Sequence, residues 1–395
     1  MIHSFTGENF YSIKDKVKVD FTVDKKAPNR TSYAETVNGR VSLIEAVIGP
    51  NASGKTNILK ILPFMQWLIV DAYTDNPDAD LPVRPFGNNL KTPTKLSVKF
   101  SIDERLFTYA FTMNPSRILS EKLTERSKTT ERITSKILFY REWNKAKDEY
   151  DINDKVFDIT QTKLRKNTSV VATAFRDKNP LATMIATYWR DCLSTNVAEG
   201  GYRNYLSSPT THDRQANQAL EFFDNNQKLK DKLESILARY DIGFGSFKKE
   251  TAQEVAFYSI HHDFSDDNFD IPLRYESSGT KQMIIILRFL LMALEEGGIA
   301  VIDELDSNLH PEIVEEIVSM FSSPEFNPKG AQLFFSSHSP TILLTLDKYQ
   351  VVFTEKDENG STDTWRLDSI KGVRPDENYY AKYIAGAYGG VPNLR

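Results

Sequence analysis

One octapeptide constrains this chain more than any other stretch: GPNASGKT, residues 49–56, between the apolar run SLIEAVI and the helix-compatible run TNILKILPFMQWLIV. It fits G-x-x-x-x-G-K-[ST], the spacing of a loop whose backbone N–H groups cradle phosphate oxygens. Gly49 and Gly54 allow the tight wrap, and Pro50, Asn51, Ala52 and Ser53 form the arc between them. Lys55 brings a mobile point charge to the β/γ-phosphates, and Thr56 brings a hydroxyl that can ligate Mg²⁺. A helix starting here aims its positive end at the same phosphates. The implied ligands are ATP and Mg²⁺.

The bulk numbers are compatible with such a fold. With 395 residues, 40% of them hydrophobic, the chain can build one large domain or two modest ones. Its net charge of −5 does not favour nucleic acid, so any such contact needs a local basic patch. The single cysteine, Cys192, excludes an internal disulfide, fits a reducing cytosol and reads as a small buried hydrophobe. The N-terminal stretch has no basic-then-apolar leader. The longest apolar run, MIIILRFLLMAL, is too short to span a bilayer and carries Arg288. A cytoplasmic location and no membrane partner are expected.

Along the chain, VKVDFTV alternates, with Lys14, Lys16 and Lys18 on a solvated face; KLSVKFSI and LFTYAFTM alternate like a hairpin. Residues 120–150 are dense in mixed charge, and 175–240 carry helical periodicity without a sustained heptad. DIGFGSF reads as strand and turn. After 275 comes an α/β series: a helix over about 280–295, the strand GIAVID, the helix PEIVEEIVSMF and the strands AQLFFSS and YQVVFTEKD. Three parts are expected: 1–120 with the phosphate loop, 121–239 as a mixed, mainly helical insertion, and 240–395.

Two further motifs carry chemistry. In IAVIDELDSNLHP a buried strand delivers Asp303 and Glu304 at its carboxyl end, where ligands sit in a parallel α/β sheet. Asp303 suits the Mg²⁺ shell, and Glu304 can polarise an attacking water. FFSSHSP ends a strand at His338, which alone reads as a structural histidine and beside the other motifs as a γ-phosphate sensor. YESSGTKQ, residues 275–282, is a small-residue turn before a long apolar helix; taken alone it is a helix N-cap.

In this order the motifs resemble ABC-class ATPase heads of the SMC-like branch, which includes chromosome and break-repair ATPases and the bacterial OLD-type ATPases. The resemblance implies an α/β fold: a P-loop ABC-type ATPase head with an N-terminal β-rich subdomain and a helical insertion. It also implies a head-to-tail homodimer, or a higher homo-oligomer built on the same composite sites, in which Ser277, Ser278 and Gly279 of one copy cover the ATP held by the other. Asp306 matches the Asp-containing loop that crosses that interface. The family turn usually carries two adjacent glycines after the serine. Here Ser278 and Gly279 stand in those places, a departure toward the OLD-like ATPases, and no counterpart of the glutamine lid is evident.

NFYSIKD, DELDSNLHP and RPDENYYAKYIAGAYGGVP are similar to stand-alone defence ATPases of the AbiL/RloA and PtuA kind. This implies a bacterial anti-phage ATPase working with a separately encoded nuclease or toxin. TEKDENGSTD reads as a hairpin turn rather than a nuclease centre. The alternative is an SMC-like ATPase acting directly in DNA repair or maintenance. The absence of a long coiled coil and of a Cys pair weighs against it, and the motif order weighs against a transporter head. Nucleic acid or a phage protein remains a candidate partner. The basic residues of 117–147 (Arg117, Lys122, Arg126, Lys128, Arg132, Lys136, Arg141, Lys145, Lys147) interleave with Glu121, Glu125, Glu131 and Glu142, the pattern of a solvated face.

Overall fold

A strand that ends in a phosphate loop is buried on both faces, so its residues are apolar without alternation. In the computed structural model, which describes residues 1–73, 76–128, 133–197, 212–240, 244–250, 256–262 and 268–391, this is what the segment before Gly49 does. The N-terminal half contains β1 (Ile2–Glu8), β2 (Val17–Asp20), β3 (Tyr33–Thr36), β4 (Gly39–Ser42), β5 (Ile44–Ile48), α1 (Lys55–Leu59), α2 (Ile61–Val70), β6 (Thr94–Ile102), β7 (Arg105–Asn114), β8 (Arg117–Lys128), β9 (Ile133–Asn144) and β10 (Glu149–Asp154). There follow α3 (Val170–Arg176), α4 (Pro180–Cys192), β11 (Leu193–Thr195), α5 (His212–Asp224), α6 (Gln227–Tyr240), β12 (Phe244–Glu250), β13 (Ala256–His262) and β14 (Asn268–Pro272). The last part holds α7 (Ser278–Glu296), β15 (Ile299–Ile302), α8 (Pro311–Ser322), β16 (Gln332–Ser337), β17 (Val351–Lys356), β18 (Thr362–Arg366) and α9 (Tyr379–Ile384).

The central sheet has the order β11-β15-β16-β5-β17-β18. Its first five strands are parallel, and β18 returns antiparallel to β17. Successive residues of its inner strands feed two different cores. Val47, Val301, Phe334 and Val352 pack with the N-terminal sheet, α2 and α4. Ala46, Ile48, Ala300, Ile302, Leu333, Phe335 and Phe353 pack with α7 and α8. The fold is thus α/β, with a parallel sheet between two apolar layers. The second large sheet is antiparallel, in the order β10-β9-β8-β7-β6-β1-β2, and Phe5 of β1 meets Phe334 edge-on at 5.4 Å between ring centroids.

The stretch 121–239, expected to be mainly helical, begins as strand: β8, β9 and β10 extend the N-terminal sheet, and regular α-helix starts only at Val170. The interleaved charges do not all face water. Glu121 and Arg141 are fully buried, with Oε2 and Nε 2.7 Å apart. A bulge opposite Thr112/Met113, which leaves Leu119 of β8 unpaired, and another opposite Leu123/Thr124, which leaves Leu138 of β9 unpaired, interrupt the alternation that would have marked these two strands. Lys128 closes β8, while Glu131, Arg132 and the start of DIGFGSF lie outside the described residues. Lys14, Lys16 and Lys18 are exposed, and TEKDENGSTD is the β17–β18 hairpin. Cys192 is buried, which pushes its thiol up to about 12. Among the described residues no helix is long and apolar enough to cross a membrane.

Candidate functional site

The loop leaves β5 at Gly49 and enters α1 at Lys55. Ala52 (φ 62°) and Gly54 (φ 105°) take left-handed backbone, which turns the chain back on itself and brings Ser53 N within 3.2 Å of Pro50 O. A Cβ on Gly54 would collide with the Thr362 side chain, and one on Gly49 with Thr354. The β17–β18 hairpin therefore backs the loop. Ser53 Oγ meets Thr354 Oγ1 at 2.5 Å, Thr362 Oγ1 donates to Ser53 O at 2.9 Å, and Ser12 Oγ joins Thr362 Oγ1 at 2.7 Å. Asn57 of α1 donates to Ser12 Oγ at 2.7 Å. Between α1 and α2, Lys60 keeps helical dihedrals, and Pro63 falls in the first turn of α2, where its missing N–H costs little.

Lys55 is 4% exposed. Its ammonium donates to Gly49 O at 2.8 Å and Pro50 O at 3.0 Å, and lies 3.2 Å from His338 Nδ1. An ammonium has no lone pair, so Nδ1 must accept, and the ring proton then sits on Nε2, which faces Glu304 Oε1 at 3.3 Å. One chain of contacts thus joins the phosphate loop, the end of β16 and the end of β15. Burial lowers the Lys55 pKa, and the charges of Asp303, Asp306 and Glu304 oppose that shift.

The acidic strand end is held by its neighbours. Glu304 has φ 51°, a left-handed conformation that redirects the chain after β15. Ser336 Oγ donates to Asp303 Oδ1 at 2.5 Å and accepts from Glu304 N at 2.8 Å. Asn196 brackets the Asp303 backbone, accepting from its N–H at 2.7 Å and donating to its carbonyl at 3.0 Å. Asp306 points within its own chain: one oxygen accepts from His338 N at 3.0 Å and Ser339 N at 2.8 Å, which fixes the histidine loop.

The cleft between these parts measures about 190 Å³ and is lined by Ala52, Ser53, Gly54, Lys55, Thr56, Asn57, Glu304, His338 and Lys356. Thr56 lines this cleft; Asp303, whose Oδ1 accepts from Ser336, is not among its lining residues, and together they would offer Mg²⁺ two oxygens. Among the described residues no cluster of three or more His, Cys, Asp or Glu side chains could hold a metal by itself, and Mg²⁺ is commonly bound by one or two protein oxygens plus phosphates and water. The loop with its buried Lys55 fits a polyphosphate.

The turn 277–279 does not line this cleft. Ser277 N-caps α7, its Oγ accepting from Thr280 N at 3.0 Å; Ser278 opens the helix; Gly279 sits where a Cβ would lie 3.2 Å from Asn308 O. Residues the motifs did not reveal are Ser12, Asn196, Ser336, Thr354, Lys356 and Thr362. Lys356 was findable: two residues after Thr354 on one strand, it shares the face that meets the loop. Asn196 had no local signal, since its partner is 107 positions away.

Over residues 44–344 the chain matches a family model described as "AAA domain, putative AbiEii toxin, Type IV TA system". None of the curated protein sequences compared with it matches. Among solved structures it is similar to an Smc head bound to the C-winged helix domain of ScpA, with 12% identity and a TM-score of 0.47 over 92% of this chain and 96% of that one. It is also similar to an Smc head with an extended coiled coil bound to the C-terminal domain of ScpA from Pyrococcus furiosus, with 12% identity and a TM-score of 0.42 over 93% and 96%. A third is an Smc head with a coiled coil and joint from Pyrococcus yayanosii, with 10% identity and a TM-score of 0.43 over 98% and 99%.

Proposed function

The chain belongs to this AAA-domain family, and from that premise we propose that it binds ATP on residues 49–56 and hydrolyses it with Glu304 as the water-polarising base. The observation that carries the reading is the contact chain Lys55–His338–Glu304, which joins the phosphate loop to the carboxyl ends of two neighbouring strands. The loop amides and Lys55 hold the triphosphate, and His338 turns toward its terminal phosphate while keeping Glu304 oriented. Mg²⁺ on Thr56 and Asp303 would neutralise charge on the β- and γ-oxygens. Phosphoryl transfer needs positioning and charge more than covalent chemistry, and these residues supply both.

Ser277, Ser278 and Gly279, at the N-terminus of a 19-residue helix, are suited to a phosphate but lie outside this cleft, which supports a second copy covering its open side. We infer further that the cycle makes the protein a sensor or scaffold of an anti-phage system that controls a separately encoded nuclease or toxin. Support comes from the likeness of the segments quoted above to defence ATPases; the family description names a putative toxin of a Type IV TA system, which fits a two-component arrangement without saying which component this chain is.

Lys55→Ala should abolish ATP turnover and most ATP binding, and should leave host cells unprotected in a phage plaque assay. Glu304→Gln should bind ATP normally and fail to turn it over, because the amide keeps the shape and loses the basicity. Wild-type turnover in either variant refutes the corresponding assignment; protection that survives Lys55→Ala refutes the defence role.

A further inference from the structure

A recess of about 910 Å³, much larger than the phosphate cleft, opens between the β8–β10 edge of the antiparallel sheet, residues 161–166 and α3. Its walls carry guanidinium groups laid on aromatic rings. Arg117 Cζ lies 3.5 Å from the centroid of Trp143, and Arg165 and Arg176 lie 3.8 and 4.3 Å from that of Tyr73. Lys166 adds a further cation. Among the described residues Arg117, Lys166 and Arg176 have no carboxylate partner, whereas Lys163 is paired with Asp177 at 2.7 Å.

The wall 161–166 is a single 3₁₀ turn, Gln161–Lys163, followed by irregular chain, yet it is fixed by buried polar groups. Arg141 donates to Arg165 O at 2.9 Å and to Thr168 O at 2.6 Å, and Ile118 N donates to Lys166 O at 2.7 Å. Asn167 Nδ2 donates to Asn76 O and Ala79 O at 3.2 and 3.0 Å, which ties this wall to the loop after α2. A buried, nearly saturated network that holds a loop and its cations in one place is the support a preorganised binding site requires.

We propose that this recess binds single-stranded nucleic acid. A guanidinium stacked on a ring keeps its N–H edge for a phosphate and offers its outer face to a base. Bases in a duplex are already stacked, so these planes select unpaired strands. The recess also carries Asp78, Asp148 and Glu149. Carboxylates repel a bare phosphate or an acidic peptide, but accept hydrogen bonds from the exocyclic amino groups of bases. The mixture of stacked cations and acceptors matches a nucleotide chain better than either alternative. The inference goes beyond the ATP reading and does not depend on it.

The test is fluorescence anisotropy with a labelled mixed-sequence strand of roughly 12 nucleotides, as DNA and as RNA, in about 50 mM salt. Wild type should bind at least one of them. Arg117→Ala/Lys166→Ala should bind about tenfold or more weakly, with a salt dependence reduced by about 1.4 units of log–log slope, roughly 0.7 for each of the two charges on a single strand. Arg117→Lys should keep the slope and lose affinity, because it keeps the charge and loses the plane. Unchanged circular dichroism and an unchanged thermal midpoint show that the variants are folded. The proposal is overturned if wild type binds neither strand or if the double variant binds as wild type does. It is equally overturned if duplex, inorganic phosphate or poly-glutamate competes as well as the unlabelled strand.

Discussion

Glu45 stands four residues before the phosphate loop in a strand that is otherwise apolar, and neither carboxylate oxygen has a hydrogen-bond partner. Burial raises its pKa well above the ordinary 4.5; the positive Arg366 opposes the shift, and Asp20 and Asp368 reinforce it. The native state therefore holds a proton that the unfolded chain releases. Above pH 4.5 and up to the raised native value, folding takes up that proton, so stability falls as pH rises through the window. Glu45→Gln carries no such dependence. Its thermal midpoint should gain on wild type between about pH 5 and about pH 8, read by melts at both ends. A difference between the two proteins that does not change with pH would mean that Glu45 is ionised in the folded chain, paired with Arg366.

At the scale of elements, the strands β8 and β9 are joined internally by charge. Glu121 takes hydrogen bonds from Tyr109 and from Val170 N at 2.7 Å, and Arg141 spans from Glu121 to the carbonyls of Arg165 and Thr168. Removing one member leaves the other charged and dry. Arg141→Ala should cost roughly 3–5 kcal/mol in denaturant unfolding, against less than about 1 kcal/mol for Lys95→Ala, whose pair with Glu8 is half exposed. Equal losses would show that the buried pair is hydrated. The same pair explains what the sequence left unread. The loop 49–56, the strand before Asp303 and the strand before His338 were legible because each is a short apolar run ending in an invariant chemical need, a tight turn or a charge at a strand end. Helices α4, α5 and α6 were legible by period. The strands β8 and β9 were not, because bulges break their alternation and their interior positions hold Glu121 and Arg141, and β10 is a short, charge-rich edge strand. Polar residues that support the site from afar, such as Asn196 and Thr362, follow from tertiary contacts that no local pattern encodes.

At the scale of the whole molecule, one copy holds a phosphate loop and, elsewhere, a helix N-terminus suited to phosphate that the loop's own cleft does not use. If two copies pair head to tail, each ATP is enclosed by residues 49–56 of one and 277–279 of the other. Ser277→Arg and Lys55→Ala then damage opposite halves of a pocket, and each homodimer has two broken sites. A mixed dimer concentrates both lesions in one pocket and leaves the other intact. Co-expressed, doubly tagged and purified, it should regain part of the turnover that both parents lack, provided one intact pocket can fire alone. Absence of rescue has two causes that crosslinking separates. With cysteines at 277 and within the loop and ATP present, an inter-chain product means the pocket is shared and its two halves fire only together. An exclusively intra-chain product means that the turn serves its own copy and that the head-to-tail arrangement is wrong.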